Sequence, residues 1–184
     1  YTQTDHLNNT TTWLYDALGR TAYVYSTFGD QTTTSYNWTG SSKPALGVYC
    51  ITNTGNDGSI TNTWFDELGR DIRTDMKGFD GTMIYSTTEY NAKGQTYRKS
   101  QPYFSGGTVL WNAYTYDNYG RVTALSRPSE RNTTWVYNCC TVTETIDNKS
   151  YLKTYGPDGT LTSATNYGGT ITYTYYPDGR VKTI

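Results

Sequence analysis

The sequence predicts an all-β fold: an antiparallel β-hairpin meander forming a twisted, spiralling strip. Three observations predict it. A turn phrase recurs along the chain, with an aromatic residue four positions before a glycine. The background between copies is rich in Thr and Tyr, which suit strands. No stretch sustains a helical period.

The clearest copies of the turn are Tyr15-Asp16-Ala17-Leu18-Gly19-Arg20, Phe65-Asp66-Glu67-Leu68-Gly69-Arg70 and Tyr116-Asp117-Asn118-Tyr119-Gly120-Arg121. Weaker copies open at Tyr90-Asn91 and close at Gly94, open at Tyr155 and close at Gly159, and open at Tyr175 and close at Gly179-Arg180. An Asp or Asn at the start of a turn bonds backbone two residues on, and the glycine supplies the positive φ of a bulged hairpin. Pro157 and Pro177 preset φ early in their turns. The aromatic ring is expected to lie across its own turn, and the Arg head to bond turn carbonyls or stack on a ring.

Taken in order, strands are expected over residues 10–15, 20–27, 32–38, 48–53, 59–65, 70–75, 83–90 and 95–103, and then over 109–116, 121–126, 133–137, 141–146, 151–155, 160–166, 170–175 and 180–184. Turns separate them at Phe28-Gly29-Asp30, Gly55-Asn56-Asp57-Gly58, Gly78-Phe79-Asp80-Gly81, Ser105-Gly106-Gly107, Asp147-Asn148 and Gly168-Gly169, with a charged turn from Arg127 to Arg131. Residues 39–44 form the longest irregular connection, expected on the outer rim. Glycine spacing sets the unit: Gly69 to Gly94 is 25 residues and Gly94 to Gly120 is 26, so one repeat is a hairpin of two strands. Copies are missing near Pro44 and at Tyr137-Asn138, which lacks the glycine. Residues 1–184 read as a single run of repeats. An antiparallel strip of this kind twists, and a long one curls.

Composition narrows the function classes. Hydrophobic residues are only 35% of the 184, yet there are 20 Tyr and five Trp, which suits a thin two-faced sheet better than a thick core. Charged residues are 17%, too few for a charged disordered segment. A formal charge of −1 with no basic patch argues against a nucleic-acid partner. No run of apolar residues is long enough for a membrane-spanning helix, so no membrane insertion is expected. The first residues do not read as a signal peptide.

The six turns and their spacing resemble the YD repeat of the RHS family, found in bacterial Rhs proteins, insecticidal toxin complex C components and teneurins. The resemblance rests on Tyr15-Asp16, Gly19-Arg20, Tyr116-Asp117, Gly120-Arg121 and the partial copies, and it spans almost the whole chain. It implies a β-solenoid-like wall that winds into a hollow shell around a partner or toxin polypeptide, in a secreted or cell-surface protein. The closing Asp-Pro core motif of the bacterial members has no counterpart in this sequence. Both ends read as strands with open edges, so each is expected to pair with the rest of a longer protein or with the next copy.

Each candidate site has a structural alternative. Asp16, Asp66 and Asp117 recur at one turn position, whereas catalytic carboxylates need unlike environments, so their role reads as structural. His6 is the only histidine and has no nucleophile motif beside it. No catalytic residue, metal ligand or cofactor is expected. Trp13, Trp38, Trp64, Trp111 and Trp135 offer carbohydrate stacking as one reading and strand packing as the favoured one. Sequons stand at Asn8, Asn9, Asn37, Asn132 and Asn148, with Asn37 and Asn132 the first places to look for sugar. Cys139 and Cys140 are expected on opposite faces of a strand. They offer a redox switch as one reading; free buried thiols are favoured, with Cys50 pairing to one of them as the alternative.

Two function classes remain. The first is a non-enzymatic wall segment, whose partners are the rest of a longer RHS protein and its cargo domain. The second is a subunit of an extracellular, glycosylated fibre joined head to tail to identical subunits. A carbohydrate-binding module using exposed Trp is a weaker third.

Overall fold

The computed structural model describes residues 1–40, 42–128 and 130–184. Ser41 of the long connection and Ser129 of the charged turn lie outside the described residues. Among the described residues all regular structure is strand: β1 (Thr2–Thr4), β2 (Thr10–Tyr15), β3 (Thr21–Ser26), β4 (Gln31–Asn37), β5 (Tyr49–Gly55), β6 (Ile60–Phe65), β7 (Asp71–Lys77), β8 (Met83–Tyr90), β9 (Thr96–Ser100), β10 (Tyr103–Phe104), β11 (Trp111–Tyr116), β12 (Val122–Ser126), β13 (Thr133–Asn138), β14 (Thr141–Ile146), β15 (Lys149–Tyr155), β16 (Leu161–Asn166), β17 (Gly169–Thr172), β18 (Thr174–Tyr175) and β19 (Val181–Thr183). The fold is an all-β antiparallel hairpin meander.

The chain divides into two units. The first comprises Tyr1–Glu89 and Lys99–Val109, the second Tyr90–Arg98 and Leu110–Ile184. In the first unit β1 pairs with β2 and each following strand pairs with the next as far as β8, which also pairs with β10. In the second unit β11 to β17 pair in the same consecutive way, and β18 with β19 forms a separate hairpin.

Alternation of side chains follows from the pleat. Along β4 the exposed residues Gln31, Thr33, Ser35 and Asn37 alternate with half-buried Thr32, Thr34 and Tyr36. Burial is thin throughout. Cys50, Trp64 and Ile72 are the buried hydrophobics of the first unit, beside the buried polar residues Asp66, Asp75, Thr88 and Ser100. In the second unit buried Leu125 of β12 stands directly opposite buried Thr133 of β13.

Several expectations are corrected. The strand expected at the first residues is β1, and it pairs inside the chain: β1 is tied to β2, and the Trp13 N–H donates to the Tyr1 carbonyl at 2.7 Å. The expected strand over 95–103 is broken between Ser100 and Tyr103, where Pro102 has no N–H for a ladder. The expected strand over 170–175 changes partner: β17 pairs with β16, β18 pairs with β19, and Tyr173 lies between them. The turn expected at Gly168-Gly169 is Tyr167-Gly168, with Gly169 already paired to Asn166.

The connection from Trp38 to Val48 is more than a rim loop. The Arg73 guanidinium donates to the Ser42 carbonyl, and a β-carbon at Gly40 would stand 3.1 Å from the Trp64 ring. The loop therefore folds back over Trp64, which explains how a large ring in so thin a sheet is only 3% exposed.

The cysteines depart furthest from expectation. Asn138 pairs with Thr141, so Cys139 and Cys140 are the two turn residues of the β13–β14 hairpin. They are exposed and free, not buried on opposite faces of a strand. Cys50 is free and buried, and burial raises its thiol pKa.

Candidate functional site

The turn phrase folds the same way in every copy. The Gly19 N–H donates to the Asp16 carbonyl at 3.0 Å, and the Asp16 N–H to the Arg20 carbonyl at 2.8 Å. This is a three-residue loop with a glycine bulge. Gly19, Gly69, Gly94, Gly120, Gly159 and Gly179 all take φ between 74° and 82°. The same backbone pattern closes three further turns, at Ser26–Asp30, Gly55–Ser59 and Gly78–Thr82.

Two side-chain arrangements serve this one backbone. In the first, the carboxylate opens the turn. Asp16 accepts the N–H groups of Leu18 and Arg20, both at 2.9 Å, and its other oxygen accepts Arg20 Nε at 2.7 Å. Asp66 with Arg70 and Asp117 with Arg121 repeat the set. Asn91 with Gln95 repeats it without charge: Asn91 accepts the N–H groups of Lys93 and Gln95, and its amide donates to the Gln95 side chain at 2.9 Å. In the second arrangement the carboxylate sits just before the glycine. Asp57, Asp80, Asp158 and Asp178 each accept the N–H two residues on, from Ser59, Thr82, Thr160 and Arg180. The sequence reading placed these turns but not the bond made by their carboxylate, whose signal is Asp-Gly followed by Ser, Thr or Arg.

The electrostatics follow the hydrogen bonds. The Arg20 side chain holds the Asp16 carboxyl below its ordinary value of 3.8, helped by the Arg20 and Leu18 N–H groups. At Asp66 burial pushes upward, but the Arg70 side-chain and backbone bonds outweigh it and the value is again lowered. Asp117 shows the same balance, with the Arg121 bonds prevailing over desolvation. These carboxylates are fully engaged in closing their turns. The Arg heads thus bond the carboxylate of their own turn rather than its carbonyls, while the ring stacking expected as the alternative is present at Arg20 and Arg121.

The aromatic residues reach further than expected. The Tyr116 hydroxyl donates to the Thr96 carbonyl at 2.7 Å, two residues past Gly94 of the preceding copy. Tyr137 reaches Val122, two past Gly120, at 2.8 Å; Tyr175 reaches Leu161, two past Gly159, at 2.7 Å. Tyr36 reaches Thr21, two past Gly19, at 3.4 Å. The ladders explain why these carbonyls need a donor. Pairing of β3 with β4 begins only at Tyr23, that of β12 with β13 at Ala124, and that of β16 with β17 at Ser163. The strands part toward the aromatic edge, and the ring fills the gap while its hydroxyl serves the carbonyl left there. For Tyr116 and Tyr175 the expectation that the ring serves its own turn is corrected accordingly.

The guanidinium completes the link. Arg20 lies 3.9 Å from the Tyr36 ring centre and Arg121 lies 4.4 Å from that of Tyr137. Asp16–Arg20–Tyr36 and Asp117–Arg121–Tyr137 are therefore the same chain of contacts, running from one repeat to the next. Tyr137 belongs to the copy that lacks the glycine and Tyr36 precedes the long connection, yet both keep this link.

Most tryptophans have separate duties. Trp13 packs on Tyr1 at 5.5 Å, Trp38 on Tyr49 at 6.4 Å, and Trp111 lies under Arg98 at 4.1 Å. The indole N–H of Trp135 donates to Glu144 at 3.1 Å. That of Trp64 donates to Asp75 at 2.9 Å, and Arg73 pairs with the same carboxylate at 2.6 Å. Asp75 is the most buried charged residue, a role signalled by Arg73-x-Asp75 on one strand face. Among the described residues no Trp ring contacts another, and Trp38 is the most exposed of the set.

Asn8, Asn37, Asn132 and Asn148 are exposed, and Asn9 is half-buried with its amide on Asp5. Asn132 already caps the Arg127 N–H at 2.7 Å. His6 is exposed in the β1–β2 turn. Among the described residues no group of three or more His, Cys, Asp or Glu stands together as a metal site, and no helix is long and apolar enough to cross a membrane.

No family model matches this chain, and no curated protein matches it. Among solved structures, the crystal structure of TcdB2-TccC3-TEV is similar over 90% of this chain, at 13% identity and a TM-score of 0.42, and this chain spans 12% of that one.

Proposed function

We propose that this chain is a non-enzymatic structural segment of the RHS/YD-repeat type in a secreted or cell-surface protein. In this reading it forms part of a β-wall that encloses or presents a partner polypeptide. The observation that carries the proposal is the link between repeats: Tyr116, Tyr137 and Tyr175 each bond the carbonyl two residues past the preceding glycine. A link that repeats with the turn lets a thin sheet be extended copy by copy without a thick core. The turn carboxylates, which would be the candidates for chemistry, serve the same architecture.

Electron microscopy of the native protein, with intact mass on the same sample, tests this. Closed particles much heavier than one chain, with a second polypeptide inside, are the expected result. Filaments whose repeat matches one chain would overturn the wall and leave a fibre of identical subunits in its place.

A further inference from the structure

The β13–β14 hairpin breaks the chemistry of its neighbours. Nearby turns are built with Gly120, with Asp147 and Asn148 at φ of 49° and 61°, and with Gly159. Here the two turn positions are Cys139 and Cys140, neither of which takes a positive φ. Turn propensity does not favour cysteine at such positions, so the pair calls for another account.

The geometry supplies one. The Cys140 thiol donates to the Cys139 sulfur at 3.3 Å, and both residues are exposed. The backbone beneath them is held: the Tyr155 N–H donates to the Cys140 carbonyl at 2.8 Å, and the Asn138–Thr141 pair closes the hairpin. Cys139 and Cys140 line one open cleft with Arg121, Tyr137, Tyr155 and Pro157, and both are exposed, so a small reagent can reach them. Cys50, by contrast, is buried with its sulfur against the Thr52 hydroxyl.

We infer that Cys139 and Cys140 form a vicinal dithiol that low-molecular-weight disulfides oxidise reversibly to an intramolecular disulfide. Because the Cys140 S–H donates to Cys139, Cys139 attacks first. Its thiolate displaces one thiolate from the small disulfide and forms a mixed disulfide. Cys140, losing its proton to solvent, then attacks the Cys139 sulfur and releases the second small thiolate. The protein loses two protons and two electrons, and the small disulfide gains the electrons as two thiols. Adjacent residues have Cα atoms about 3.8 Å apart, closer than an unstrained disulfide prefers, which favours easy reduction.

The test uses the intact chain in glutathione buffers of graded oxidised-to-reduced ratio, quenched with acid, alkylated after unfolding and weighed. At oxidising ratios the expected product has lost two hydrogens, carries one alkyl group, and maps the bridge to Cys139–Cys140. Returning it to reduced glutathione restores three alkylated cysteines. The Cys139→Ser and Cys140→Ser variants are expected to stop at one glutathione adduct. Overturning results are a wild-type chain that stops at the adduct, one that shows no loss of hydrogens at any ratio, or a bridge that reduced glutathione does not open.

Discussion

The hydroxyl of Tyr116 donates to the carbonyl of Thr96 at 2.7 Å, across 20 residues of sequence, and so fastens one turn to the one before it. Replacing Tyr116 by Phe keeps the ring and removes only this bond. The half-buried carbonyl then lacks its donor, and the expected loss is about 1–2 kcal/mol. Tyr119→Phe is the control, because that side chain is 86% exposed, and it should change stability by less than about 0.5 kcal/mol. Urea unfolding followed by circular dichroism reads both. Equal midpoints for the two variants would remove the Tyr116 hydroxyl from the account of the fold.

The turn glycines separate backbone strain from crowding. Gly19 has φ of 76° and open space where a β-carbon would go. Gly19→Ala should therefore cost about 1–2 kcal/mol through backbone conformation alone. Gly19→Asn should cost less, since Asn tolerates this region and Asn8 already occupies it at φ of 63°. Thermal melts should rank wild type above Gly19→Asn and Gly19→Asn above Gly19→Ala. The reverse order of the two variants would mean that side-chain space governs the site.

Asp66 and Arg70 can be exchanged for the neutral pair that the chain itself uses at Asn91 and Gln95. Asp66→Ala removes the acceptor of two N–H groups and of the guanidinium, with an expected cost of about 1–3 kcal/mol. The Asp66→Asn, Arg70→Gln double variant should lose less than its two single variants combined, by about 0.5–1 kcal/mol. A double-mutant cycle in urea measures this coupling. Strict additivity would show that the two side chains do not act as a pair.

Acid should weaken the turns together. Hydrogen bonds hold Asp16, Asp57, Asp66, Asp117 and Asp158 below their ordinary value of 3.8 in the folded chain. An ionised carboxylate of lowered pKa stabilises the fold above its unfolded value, and that contribution is lost as pH falls through the folded one. The melting temperature should thus vary little with these groups between about pH 7 and pH 5, and drop below about pH 4. Asp16→Asn should make the drop shallower. An unchanged acid profile in that variant would contradict the assignment.

The sequence alone determined most of the strand-and-turn order, the bulge glycines and the turn-opening Asp16, Asp66 and Asp117. The reason is range. A positive φ at Gly19 and the bond from the Leu18 N–H to Asp16 are settled within five residues, so they leave a local signature. The equivalent turns built on Asp57, Asp80, Asp158 and Asp178 carry a signature too, in the Asp-Gly pair and the residue after it.

Tertiary structure alone decided where the rings, the long loop and the cysteines go. Tyr137 serves Val122 because the β12–β13 ladder begins only at Ala124, and the end of a ladder depends on how two strands part in space. The loop after Asn37 covers Trp64 because Arg73, thirty-one residues on from Ser42, binds its backbone. Cys139 and Cys140 leave the strand because Asn138 pairs with Thr141, a register that composition does not encode.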